Sequence, residues 1–227
     1  MVKEKVNNFE NMAKGYDNIY NVYTDDIKFY IKEANKIKGA ILEIACGTGR
    51  IYLELLKRKK DVYGIDISKN MLIELEKKAK KLNLNPKVYR QNMKNIKIRK
   101  KFDLVIIPFR SFLHNLTIED QVKTLRGIKK ILKKNGKLIL NFFYPNPELL
   151  SKTKSMGKNR GTSYINIPNQ TIEFSEGIFR YRYAFIYKRE FELLLMFAGF
   201  KNWKVYGDFN YNSLKNYKQE MVWIVKK

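Results

Sequence analysis

The stretch ILEIACGTGR, residues 41–50, joins a hydrophobic run, a carboxylate and two closely spaced glycines. AILEIA (40–45) reads as a buried strand, and ACGTG as a turn that opens the next helix. Gly47 and Gly49 carry no Cβ, so both suit a sharp turn and a close approach of backbone to a ligand. In an open parallel sheet, ligands bind beyond the carboxyl ends of the strands. This turn is therefore the first place to look for one. The plainer alternative is punctuation between strand and helix, and the surrounding sequence decides between them.

Working outward, apolar runs alternate with amphipathic helical stretches. A helix is expected over 50–58, a second strand at DVYGID (61–66), and a helix capped by Ser68 through about residue 82. PKVYR (86–90) and FDLVII (102–107) read as strands three and four. Thr117, with Asp120 three positions on, starts a helix through about 133. Asn135-Gly136 is expected to end it, and KLILNFF (137–143) is a fifth strand. Strands separated by helices imply right-handed crossovers and a parallel sheet covered on both faces. Residues 145–187 break the pattern: a polar stretch is followed by TSYINI, TIEFSE and IFRYRYAFIY, which alternate like antiparallel strands. A helix at 188–198 stops at Gly199, and FKNWKVY (200–206) and EMVWIV (220–225) are late strands. The expected architecture is α/β, a three-layer Rossmann-like sheet of about seven strands. It is mostly parallel with an antiparallel last strand, plus a small β-rich insertion at 145–187. Residues 1–227 read as a single domain, with 1–38 a helical cover.

The ligand class follows from what the loop lacks. A dinucleotide fingerprint needs Gly or Ala three positions after Gly49, where this chain has Tyr52. A phosphate-binding P-loop ends in Gly-Lys-Ser/Thr, which is missing. Asp66, ending strand two, can accept hydrogen bonds from both hydroxyls of a ribose. A nucleoside without a phosphate chain fits these residues.

ILEIACGTGR, VYGIDIS, the QNM after strand three, FDLVIIPFRSFLHNL and ILKKNGKLIL, in this order and spacing, resemble the class I S-adenosylmethionine-dependent methyltransferases, and FAGFKNWKVYGDF is similar to that family's ending. The resemblance covers roughly 9–145 and 188–227. It implies S-adenosyl-L-methionine as cofactor and S-adenosyl-L-homocysteine as product. By it, Glu43, Ala45, Gly47 and Gly49 would shape the methionine pocket, and Asp66 would hold the ribose. Ile67 and Met71 would flank the adenine, Met93 would pack on it, and Asn92 would stand where the family usually has Asp. Tyr16 and Tyr20 resemble the family's N-terminal aromatic cover. Met71 and Met93 equally suit a core, and the two tyrosines a helix-packing face.

Methyl transfer is an in-line displacement that rests on positioning, and a base is needed only where the nucleophile must lose a proton. The residues after strand four, beginning at Pro108, are expected where the methyl points. Among them His114, the sole histidine, can act as base or substrate partner, or be a packed ring. Arg110 can hold a substrate carboxylate or phosphate, or be solvated. The loop lacks the signatures of DNA-amine and catechol-type enzymes, so a metal-free transfer to N or O of a small molecule is expected. Tyr181, Tyr183 and Tyr187 are candidates to line the acceptor pocket.

The net charge of +24 raises the rival of an RNA methyltransferase. However, KRKK (57–60), KKAKK (77–81) and KKILKK (129–134) fall near predicted helix C-termini, away from the expected cofactor mouth. KTKSMGKNR (152–160) is the exception. A nucleic-acid partner is therefore not favoured, and a small-molecule acceptor is. A third reading is a non-catalytic cofactor-binding regulator of a partner protein. With one cysteine, no signal-like N-terminus and no membrane-length apolar run, the expected location is cytoplasmic, with no membrane association.

Overall fold

Four residues decide the architecture. Ile41–Ile44, strand β1, are buried along their whole length and pair in parallel with β2 (Val62–Asp66) on one side and β4 (Phe102–Ile107) on the other. A strand without a solvent face has to lie inside a sheet covered on both sides. In the computed structural model, which describes residues 9–20, 24–151, 164–176 and 179–227, β2 pairs onward with β3 (Lys87–Arg90), and β4 with β5 (Leu132–Phe143), all parallel. Strand β10 (Glu220–Lys226) lies antiparallel beside β5 and carries β9 (Asn202–Tyr206) at the edge. The order is β3-β2-β1-β4-β5-β10-β9. This is the predicted Rossmann-like sheet, antiparallel last strand included. A separate antiparallel sheet holds β6 (Tyr164–Asn166), β7 (Thr171–Glu176) and β8 (Phe179–Ala184).

Alternation along the strands feeds two cores. Leu42, Ile44, Val105 and Ile107 face α6 (Ile118–Ile131) and α8 (Lys188–Phe197), meeting Leu125, Ile128, Phe191 and Leu195. Ile41, Leu104 and Ile106 face the other way, onto α3 (Asp25–Asn35), α4 (Tyr52–Lys57) and α5 (Lys69–Lys81), meeting Tyr30, Leu55 and Leu75. Each such side chain contributes roughly 1.5–3 kcal/mol by leaving water. Ser68 caps α5, accepting from the Met71 N–H, and Thr117 caps α6 by accepting from the Asp120 N–H.

One boundary differs from the sequence expectation. The helix stops at Ile131, and β5 starts at Leu132, whose buried side chain already pairs opposite Phe102. The next matched pair is Leu104 with Lys137, so residues 133–136 bulge out of the strand. Asn135 takes a left-handed φ of 67°, and a Cβ on Gly136 would lie 3.0 Å from two backbone oxygens. Asn-Gly thus turns a bulge instead of ending a helix.

Among the described residues, three helices precede the sheet: α1 (Phe9–Met12), α2 (Tyr16–Tyr20) and α3. Glu10 accepts from the Lys69 and Asn70 N–H groups and the Ser68 hydroxyl, which ties α1 to the start of α5. Burial works to raise the Glu10 pKa, but these donors and the Arg90 charge outweigh it and hold it low. Asp17 accepts from the Thr48 hydroxyl at 2.6 Å and pairs with Lys78 at 2.6 Å, fastening α2 over the glycine turn. No helix among the described residues is long and apolar enough to cross a membrane.

Ala45 leaves β1 with φ 57°, a conformation that costs an L-residue about 1–2 kcal/mol. Replacing it with Gly should therefore raise stability by about 1 kcal/mol and the melting temperature by a few degrees. A thermal melt of Ala45→Gly that is no higher than wild type would contradict this.

Candidate functional site

The carboxyl ends of β1, β2 and β4 open onto a cavity of about 390 Å³, within the range of small-molecule sites. Gly47 (φ 52°) lines it, and a Cβ there would meet nothing within 4 Å, so the bare backbone faces open space. Its N–H donates to Asp66 Oδ2 at 2.8 Å, and the Ser68 N–H donates to Oδ1 at 2.8 Å. Each oxygen keeps a further lone pair. Burial pushes the Asp66 carboxyl up, against the lowering pull of these backbone donors.

Gly49 plays another part. It does not line the cavity; with φ 90°, its Cβ would fall 2.8 Å from Leu75 Cγ and 3.0 Å from Leu53 Cγ. The residue is small so that α4 and α5 can close on the turn. Glu43 also lies beneath the wall. It is buried, its Oε2 has no hydrogen-bond partner, and burial raises its pKa well above the usual carboxylate range.

Ala45, Ile67, Met71, Asn92 and Met93 all line the cavity, as do Tyr16 and Tyr20. Asn92 Oδ1 accepts from the Lys94 N–H at 2.9 Å and retains a second lone pair. Tyr16 and Tyr20 stack 4.6 Å apart, and Tyr20 meets Phe109 edge-on at 5.3 Å. Phe9, Met12, Ser111 and Asn115, which no motif marks, also form the wall. The nearest signal was position: Phe9 and Met12 precede the GYDNIY stretch, and Asn115 follows His114. Buried Asn115 donates to Met93 Sδ at 3.2 Å and accepts from Thr124, which fixes the far wall.

Beyond β4 the chain turns sharply. Pro108 is buried and outside the cavity wall, and its carbonyl accepts from the Ser111 N–H. Phe109 and Arg110 both take left-handed φ, 55° and 64°. The 3-10 turn Ser111–His114 follows. His114 opens on the cavity between Phe9 (5.0 Å) and Tyr183 (4.6 Å), and its Nδ1 lies 3.2 Å from the Arg182 carbonyl of β8. A carbonyl only accepts, so Nδ1 carries the proton and Nε2 is the acceptor. Burial pushes its pKa down to about 4, with the Arg182 bond opposing. Arg110 is turned away: its guanidinium pairs with Glu220 at 2.8 Å and lies over Phe143. Tyr181 and Tyr183 line the cavity, whereas Tyr187 packs on Tyr144 and Phe185. The basic stretch 152–160 lies outside the described residues. Of the other basic stretches, Lys60 and Lys129 bond the Ile37 and Gly199 carbonyls, in the segments that lead into β1 and β9, whereas Lys78 pairs with Asp17 of α2.

A family model described as a methyltransferase domain matches residues 41–136, which span the glycine turn, Asp66 and the β4 turn. A Clostridium acetobutylicum S-adenosylmethionine-dependent methyltransferase superposes with a TM-score of 0.77 at 18% identity, covering 97% of this chain and 99% of that one. The chain thus carries a methyltransferase-domain match over residues 41–136 on the Rossmann-like fold of S-adenosylmethionine-dependent methyltransferases. A relative from Geobacillus sp. (strain WCH70), provisionally named a methyltransferase, is 30% identical over 141 residues, 59% of this chain. The match spans only about half of that relative, 56%. The glycine/sarcosine N-methyltransferase of Aphanothece halophytica is 28% identical over 222 residues, 88% of this chain and 82% of its own length.

The cavity suits the family's cofactor. Gly47 presents bare backbone, and each Asp66 oxygen keeps a lone pair toward the cavity that both residues line.

With a single histidine in the chain, the imidazole gives one NMR signal. That signal should not titrate between pH 7.5 and 5.5. The native ring binds fewer protons than the unfolded one between its lowered pKa of about 4 and the ordinary 6.5, so its contribution to stability is full above 6.5 and is lost as pH falls toward 4. A midpoint near 6.5 in the folded protein would refute the buried, neutral ring.

Proposed function

We propose that this methyltransferase transfers the methyl group of S-adenosylmethionine to a nitrogen of a small-molecule amine. The cofactor supplies a methyl carbon made electrophilic by its sulfonium. Asp66 would receive the ribose hydroxyls, Gly47 would lie against the methionine portion, Ile67, Met71 and Met93 would enclose the adenine, and Asn92 Oδ1 would accept from the adenine amino group.

The observation that carries the choice of nitrogen is the seat of His114: its Nδ1 is engaged by the Arg182 carbonyl and its ring is packed between Phe9 and Tyr183. Burial there lowers its pKa, which makes it a weak acceptor for a hydroxyl proton. A free-base amine attacks with its own lone pair and loses its proton only afterwards. Charge then passes from sulfur to nitrogen instead of being cancelled. The aromatic faces of Phe9, Tyr16, Tyr20 and Tyr183 suit a cation throughout, each such contact contributing about 0.5–2 kcal/mol. The hydroxyls of Tyr16 and Tyr183 have no hydrogen-bond partner among the described residues and are available to orient an acceptor, as is His114 Nε2. The likeness to a glycine/sarcosine N-methyltransferase supports the same chemistry. The RNA reading draws on net charge and on the abundant aromatics, but Lys60 and Lys129 are engaged with carbonyls in segments that lead into β1 and β9, at the strand ends away from the cavity.

Two measurements test this. In a labelled-methyl assay over matched amines and alcohols, transfer to amines alone is expected; transfer only to hydroxyls, or to RNA, would overturn the proposal. Asp66→Ala should weaken S-adenosylmethionine binding about 10- to 100-fold, the loss expected for hydrogen bonds to a charged group. Unchanged affinity by calorimetry would remove Asp66 from the ribose role.

A further inference from the structure

Two consecutive non-glycine residues in left-handed backbone are strained by about 1–3 kcal/mol each and persist only where their surroundings hold them. Phe109 and Arg110 are such a pair, at the point where β4 delivers the chain to the acceptor side of the cavity. Both of their N–H groups end on one residue. Asn141, buried on β5, accepts from the Phe109 N–H with its Oδ1 at 3.0 Å and from the Arg110 N–H with its carbonyl at 3.2 Å. The same Oδ1 accepts from the Tyr30 hydroxyl at 2.8 Å, bringing in α3. Asn141 Nδ2 donates to Glu220 Oε1 at 2.8 Å, and Glu220 on β10 receives the Arg110 guanidinium at 3.1 and 2.8 Å. Arg50, paired with Asp26 of α3, lies 4.7 Å over the Phe109 ring.

We propose that Asn141 and Glu220 are positioning residues that hold the strained Phe109-Arg110 turn, and through it Phe109 and His114, in the geometry the acceptor meets. The arrangement has a direction. Asn141 matches the polarity of every neighbour: its carbonyl oxygens take donors, and its amide nitrogen gives to a carboxylate. Aspartate at 141 would keep the acceptor oxygens but set a second carboxylate against Glu220. Glutamine at 220 would then return a donor to the pair. The cofactor contacts on β1 and β2 lie outside this network, so the inference concerns acceptor geometry and rests on the amine-methylation reading only for its activity readout.

The experiment compares wild type with Asn141→Ala, Asn141→Asp, and Asn141→Asp combined with Glu220→Gln. Amide hydrogen exchange at Phe109 and Arg110, S-adenosylmethionine affinity, and kcat/KM for an amine acceptor are measured on each. Asn141→Ala should speed exchange at Phe109 and lower kcat/KM about 10- to 100-fold, the scale of a 1 Å misplacement, with cofactor affinity within about twofold. Asn141→Asp should lose activity in the same way, and the double variant should recover most of it. A merely structural residue would not show that rescue. The proposal is overturned by unchanged exchange in Asn141→Ala, by an equal loss of cofactor affinity, or by a folded double variant no better than Asn141→Asp. Should Asn141→Ala not fold, the aspartate pair decides. Should wild type methylate no amine, the functional reading fails, while the exchange data still decide whether the turn is braced.

Discussion

The Asp66 carboxylate is the constraint on which the cofactor side depends. It ends β2, takes the Gly47 N–H from the neighbouring β1 turn, and takes the Ser68 N–H at the start of α5. One buried anion therefore fixes the tips of two strands and the start of a helix against each other. Charge-assisted bonds of this kind are shorter and stronger than neutral ones. Ser68 is itself the α5 cap and donates to Glu10, so the same spot also anchors α1. The glycine turn, the acid and the N-terminal cover form one connected unit. A disturbance at Asp66 loosens more than a ligand contact.

The acceptor side is held by different means. Its strained β4 turn hangs on Asn141, its 3-10 turn on Asn115 and on packing, and its outer wall on the bond from His114 to β8. These contacts are mostly neutral or fully paired.

The sheet was legible because burial on both faces leaves long apolar runs, and those runs were read to within a residue or two: Phe102–Ile107 as FDLVII, and Val62–Asp66 as DVYGID. The Asn-Gly at 135–136 misled because the same dipeptide serves a helix stop and a β-bulge, and only the pairing of Leu132 with Phe102 distinguishes them. Gly49 fits the glycine pattern for a reason the pattern does not state: its neighbours Leu53 and Leu75 leave no room for a Cβ. Asn141 and Glu220 escaped notice entirely. Each is an ordinary polar residue in a strand, and their partners lie 31 to 111 positions away in the chain. Nothing local marks them. Arg110 looked available for substrate because its partner, Glu220, sits on the last strand.

The three-stranded sheet touches the site through a narrow seam: Tyr181, Tyr183 and the carbonyl of Arg182. Tyr183 and Ala184 of β8 also pack against the core on the α6 side, whereas β6 and β7 are held by pairing within the small sheet. Substitutions along β6 and β7 can therefore shift the chamber's outer wall while the Gly47–Asp66 contact beneath stays as it is. On the proposed reading, such a division separates two choices: the small sheet shapes the acceptor's side of the chamber, and the large sheet the donor's.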